Sequence, residues 1–227
     1  MSPTTPIRFV RFQPDLPRDV AELERQRVLC GWGLEHVPVW RDEVRRGDKG
    51  LFWIFPKPGF EDKYPVPDDE PLNLEDGQGP AHPDPSFRPL GHISLDWTDY
   101  MNDNSLANRD EGLLTLATFF ILVSQHGRGL GNAAMDEAEA LAASPVFAAK
   151  FLTLNTMLGK NTASQEWNER VGIKYNPGAR VNQNWYRKRG YVEYKEEPRY
   201  HFTNPGTGVS QVLEAVFMKR DLASGVH

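Results

Sequence analysis

Along residues 7–12, IRFVRF, apolar and polar side chains alternate in the two-residue period of a β-strand. The period returns over 90–97, where Ile93, Leu95 and Trp97 alternate with His92, Ser94 and Asp96. Short apolar runs at 51–55 and 151–156 predict two buried strands, and 191–194 and 212–218 supply two last ones. Residues 113–123 are almost wholly apolar, which predicts a strand buried on both faces. Between the strands the period changes. Residues 18–29 carry Val20, Leu23 and Val28 at near-helical spacing beneath a charged face, and 36–46 reads as a second short helix. Leu130, Ala133, Ala134, Ala138 and Leu141 make a small-residue stripe on a third, and 183–189 forms a fourth that stops at Gly190, a natural C-terminal cap. Strands interleaved with helices, with no internal repeat, predict one α/β domain over 1–227.

One stretch fits neither period. Nine of the 18 prolines fall between Pro56 and Pro89, together with eight acidic residues against Lys57, Lys63 and Arg88. Proline removes backbone donors and the carboxylates repel one another, so 56–90 is predicted as a long acidic loop, a lid or a mobile excursion. Its excess of five acidic groups equals the net charge of -5 for all 227 residues, so the rest of the chain is balanced. That balance argues against generic nucleic-acid binding. No apolar run approaches the roughly 18 residues that span a bilayer, so no membrane partner is expected. The first residues lack the basic and apolar regions of a signal peptide, which makes the cytoplasm the default, with the nucleus left open. Cys30 is the single cysteine, which rules out an intramolecular disulfide, and His92 and His126 lack partners at metal-ligand spacing, so no metal is expected.

The chemical signal is a glycine turn between a strand and a helix. Gly127, Gly129 and Gly131 stand where backbone amides and a helix dipole can hold phosphate. A P-loop needs Lys and Ser or Thr after the last glycine, and Asn132 and Ala133 stand there instead. A dinucleotide fingerprint is met by Gly129, Gly131 and Ala134, but the next strand ends in Asn155 and Thr156 rather than an acidic residue. The run His126, Gly127, Arg128, Gly129, Leu130, Gly131 after an apolar strand resembles the acetyl-CoA signature of the GNAT superfamily of N-acetyltransferases, with His126 where the signature has Arg or Gln. Downstream, Trp185 and Tyr186 followed by Gly190 and Tyr191 resemble that family's closing motif.

The resemblance implies a mixed central sheet splayed open between its central strands, helices on both faces, and acetyl-CoA as co-substrate in the opening. It implies pyrophosphate contacts from His126 to Asn132, pantetheine contacts from Ile121, Leu122, Val123 and Asn182, and Tyr186 as general acid. The basic residues Arg170, Lys174, Arg180, Arg187, Lys188 and Arg189, uninterrupted by acidic ones, would favour an anionic cofactor or form a solvated helix face. The strand before the turn has no carboxylate, so Asp96 is the first candidate to deprotonate an amine through water, or else an ordinary strand-end carboxylate. Asn155 holds a water or the acceptor, or is a buried, satisfied amide. Trp32 and Trp53 fill the core or line an acceptor pocket. The expected activity is direct transfer of an acetyl group to a primary amine, drawn in by the acidic loop if it is cationic. The alternative is a GNAT-like module that binds acyl-CoA without turnover.

Overall fold

The computed structural model describes residues 5–223 apart from 75, 179 and 205–206. In chain order the main elements are β1 (Ile7–Arg11), α1 (Pro17–Cys30), α2 (Val37–Arg46), β2 (Lys49–Pro56), β3 (Gly91–Asp96), β4 (Leu113–Leu116) and β5 (Phe120–Ile121). They continue as α3 (Leu130–Ala143), β6 (Phe151–Met157), α4 (Gly159–Thr162), α5 (Gln165–Val171), α6 (Asn182–Lys188), β7 (Val192–Thr203) and β8 (Ser210–Asp221). The strands form one mixed sheet in the order β1-β2-β3-β4-β6-β8-β7, with β5 paired to β3. All pairings are antiparallel except that of β4 with β6.

The two faces of the sheet are chemically different. On one, the small-residue stripe of α3 lets the helix approach closely, and Leu130, Ala134 and Ala138 pack with Ile54, Ile93, Leu95, Leu114 and Leu154. On the other, α1 and α2 close over Leu51 and Trp53 through Leu23, Val37 and Val44. The strand alternation of 90–97 divides Ile93 and Leu95 from His92, Ser94 and Asp96 as expected, but the polar three are also fully buried. They are covered by a polar side of α1: Asp19, Glu22, Arg25, Gln26 and Arg27 are buried while Val28 is exposed. The apolar periodicity of this helix therefore indicated only part of its inner face. Several of the buried polar atoms here find each other, while Asp19 Oδ1, Glu22 Oε2 and Arg25 Nη2 make no hydrogen bond with the described residues. Trp53 Nε1 donates to Asp19 (2.9 Å), Gln26 Nε2 to Glu22 (3.0 Å) and Arg25 Nη1 to Glu22 (3.0 Å).

Residues 113–123 do not form the single strand expected from their composition. Leu95 and Asp96 pair with Leu116 and Thr115, whereas Gly91 and His92 pair with Ile121 and Phe120. The second strand spends one residue more than β3 over this interval, so Thr118 and Phe119 together face Ile93 in a β-bulge. On the other side β4 pairs with β6 only over Leu113–Thr115, after which β6 runs on with β8 while β5 stays with β3. The sheet is thereby split between β5 and β6, with the bulge on one lip. The last two strands, expected as 191–194 and 212–218, are instead two 12-residue strands of one hairpin.

The acidic insertion packs against the domain. Its Val66 and Leu72 pack on Leu29, Phe120 and Leu122, the Asn73 amide donates to the Leu29 carbonyl (2.9 Å), and Arg25 donates to the Pro80 carbonyl (2.8 Å). Since Ile54 and Gly91 are directly paired, the insertion leaves and re-enters a β2–β3 hairpin that is closed beneath it.

Candidate active site

From Gly127 to Asn132, six consecutive backbone amides donate to none of the described residues. Three belong to the first turn of α3, where a helix lacks internal acceptors, and three to the turn itself. Gly127 and Gly129 have φ of +78° and +80°, a left-handed conformation open to glycine and costly for other residues. A Cβ at either position would meet no atom within 4 Å, so their function is conformational rather than steric. The free amides, the helix dipole and the exposed Arg128 together make an anion cradle. The residues present therefore fit a pyrophosphate.

His126 does not line that cradle through its ring. Its Nε2 donates to the Ile121 carbonyl (2.9 Å), which fixes the end of β5 to the start of the turn. Of the residues expected to hold the pantetheine, Leu122 is corrected: its amide donates to the Leu90 carbonyl (3.0 Å) and is not available. The amide of Val123 donates to none of the described residues, and neither do those of Thr118 and Phe119 in the bulge. The bulge donors escaped the sequence reading because composition signals a buried strand but not a register slip within it.

Tyr186 lies on α6 with its ring against Trp185 (4.9 Å) and Tyr191 (5.6 Å). Its phenol oxygen makes no hydrogen bond with the described residues, and burial pushes the group above the ordinary tyrosine range, keeping its proton in place. Trp185, given no role of its own from sequence, connects the bulge to the head of α3. It stacks near Phe119 of the bulge (6.4 Å) and donates from Nε1 to Asn132 at the head of α3 (2.8 Å). Asn182 opens α6 with its side chain exposed.

Asp96 is buried beside Lys49, whose Nζ donates to it, and Ser94 Oγ donates to it at 3.1 Å. Ser94 Oγ in turn lies 2.6 Å from Thr118 Oγ1. A chain of hydroxyls thus joins the bulge to a carboxylate that does not itself reach the split. Burial raises the Asp96 carboxyl to about 6 against the pull of Lys49. His92 is occupied on both ring nitrogens, by Gln26 (2.7 Å) and Arg27 (3.1 Å), and burial drives its pKa well down, so it remains neutral.

Asn155 stands on β6 beyond the point where β4 leaves it, and its amide oxygen accepts from the Tyr200 hydroxyl. Trp32 packs on Tyr200 (6.2 Å) and Phe202 (5.0 Å) from the α1–α2 connection, whereas Trp53 lies in the core. The basic run is partly spent on ion pairs: Arg187 with Glu193, Arg189 with Asp136 and Glu139, and Lys174 with Asp76. Arg180 is unpaired among the described residues and lies 5.1 Å over the Trp185 ring, near the cradle. Among the described residues no group of three or more His, Cys, Asp or Glu could hold a metal, and no helix is long and apolar enough to cross a membrane.

Neither a protein-family model nor a curated protein matches the chain. Solved structures do, over nearly its whole length. The spermidine N-acetyltransferase of Vibrio cholerae in complex with CoA and spermine has a TM-score of 0.53 at 9% identity, covering 97% of this chain and 98% of that one. The spermidine/spermine N-acetyltransferase of Vibrio cholerae in complex with manganese ions has a TM-score of 0.52 at 10% identity, covering 96% and 93%. A Desulfovibrio desulfuricans structure described as a GNAT-family acetyltransferase has a TM-score of 0.50 at 11% identity, covering 95% and 99%. The chain therefore has the fold of the GNAT N-acetyltransferases.

Proposed function

We propose that this protein is an acetyl-CoA-dependent N-acetyltransferase that transfers an acetyl group directly to a primary amine in a ternary complex. The observation that carries this reading is the row of six unsatisfied amides from Gly127 to Asn132, at the head of α3 and beside the split in the sheet. The pyrophosphate takes those amides together with Arg128. The pantetheine enters the split past Val123 and Asn182, and the thioester carbonyl meets the bulge amides of Thr118 and Phe119, donors for the oxyanion that develops in the reaction.

The amine lone pair forms the new C–N bond at the thioester carbon and the C–S bond breaks. Tyr186, buried and protonated, gives its proton to the departing sulfur. The proton lost by the amine passes along Thr118 and Ser94 to Asp96. Asn155, oriented by Tyr200, and the Trp32 ring hold the acceptor. A cation would favour the aromatic face of Trp32, and the bound spermine of the Vibrio cholerae enzyme is an acceptor of that chemical kind.

A second reading, a domain that binds acyl-CoA without turnover, is favoured by one observation: among the described residues, the carboxylate linked to the bulge is ion-paired with Lys49. Purified protein mixed with acetyl-CoA and a panel of primary amines separates the two. Free thiol released above an amine-free blank supports transfer. CoA binding without thiol release from any amine supports the binding domain.

A further inference from the structure

We infer that the acidic insertion sets the affinity for CoA, with Glu70 as the positioning residue; the inference rests on the assignment of the glycine turn as the pyrophosphate site. Three points of the insertion reach the segment that leads into the cradle. Glu70 accepts from the Ser124 amide (2.8 Å) and, with its other oxygen, from Ser124 Oγ (2.7 Å). The Pro65 carbonyl accepts from Gln125 Nε2 (2.6 Å), and the Lys63 carbonyl accepts from Arg128 Nη1 (2.9 Å). Residues 124 and 125, immediately before the six free amides, and Arg128 within their row are thereby fixed from outside. Within the acidic stretch Glu70 differs from its neighbours: it is fully buried, whereas Asp68 and Asp69 are exposed.

A buried carboxylate close to a site for an anion has two opposed effects. Its charge repels the phosphate, and its bidentate hold on Ser124 keeps the turn in the conformation that presents the amides. A loop that has to be ordered on binding weakens affinity, so a preordered one strengthens it. The structure assigns the net effect to ordering, because both Glu70 oxygens are held by Ser124 and neither accepts from an amide of the 127–132 row.

The sign of one substitution separates the two effects. Glu70→Gln removes the charge and keeps one acceptor: its Oε1 can take the Ser124 amide while its Nε2 has to donate to Ser124 Oγ, so two charge-assisted bonds become two weaker neutral ones. Ordering predicts that calorimetric Kd for CoA rises about tenfold, a change of about 1.4 kcal/mol. Ser124→Ala, which removes one of the two bonds and no charge, raises it about threefold, and lowers the melting temperature modestly because one oxygen of the buried carboxylate loses its partner. The double variant is no worse than Glu70→Gln alone, because both act through one contact. Tighter binding by Glu70→Gln, unchanged Kd in Ser124→Ala, or losses that multiply in the double variant would each overturn the inference; Ser124→Ala decides it if Glu70→Gln does not fold. The readout is binding, so failure to find an acceptor amine leaves this inference standing. Conversely, an unchanged Kd in the variants of an active enzyme removes the inference and spares the function.

Discussion

Tyr186 suits the role of proton donor because burial keeps its phenol neutral and no described residue competes for its hydrogen. Tyr186→Phe retains the packing against Trp185 and Tyr191, and kcat should fall about a hundredfold while Kd for CoA stays within about twofold. Steady-state thiol release and calorimetry measure the two quantities. Asp96 calls for a different test. Replacing it with Asn strands Lys49 in the interior, a loss of about 3–5 kcal/mol that would confound kinetics. The pH profile of the unaltered protein is cleaner. As a base, Asp96 works only when ionised, so kcat/KM should fall about tenfold per pH unit as pH drops below about 6, the value to which burial raises it. Ser94→Ala cuts the hydroxyl chain with the ion pair intact, and should lower kcat about tenfold and remove that inflection. An unchanged profile would take Asp96 out of the reaction.

The elements of the site differ in how far the sequence discloses them. The turn from His126 to Gly131 is visible as a pattern because its requirements are local: positive φ at two positions and a helix starting behind them. Its consequences follow locally too. Gly129→Ala forces a Cβ onto a left-handed residue and should cost about 1–2 kcal/mol of stability, with weaker CoA binding. Gly131→Ala, inside α3 and only in ordinary contact with Trp185 at 3.6 Å, should leave stability unchanged or raise it by up to about 1 kcal/mol. Thermal melting of the two variants checks the contrast. The bulge is not visible in the same way, since Thr118 and Phe119 are as apolar or β-branched as the strand residues around them. Their freedom comes from a register difference between two partners on β3. The inward face of α1 is likewise obscured, because Glu22, Gln26 and Arg27 are inside by virtue of bonds to one another, to Arg25 and His92, and to the Pro89 and Trp32 carbonyls.

At the scale of the molecule, the net negative charge is concentrated in the insertion, and part of it is tied down within the fold. Glu70 is held by Ser124, Asp68 pairs with Arg88 and Asp76 with Lys174. Composition located the segment but not its docking, which depends on carbonyls of Lys63 and Pro65 that no side-chain pattern encodes. Replacing 58–88 by a short turn should leave the sheet intact, because β2 and β3 already pair at Ile54 and Gly91. It should lower stability through loss of the buried Phe87 from the cluster around Trp53, at about 1.5–3 kcal/mol, and by less through loss of the partly buried Val66 and Leu72 from the cluster around Leu122, and weaken CoA binding at the same time. Relative to the full chain, the melting temperature should fall and the Kd for CoA should rise together. The most direct test of the whole account is thiol release from acetyl-CoA in the presence of a panel of primary amines. The account predicts release that depends on at least one amine and is lost in Tyr186→Phe. A protein that binds CoA yet releases no thiol above the blank with any amine would contradict it.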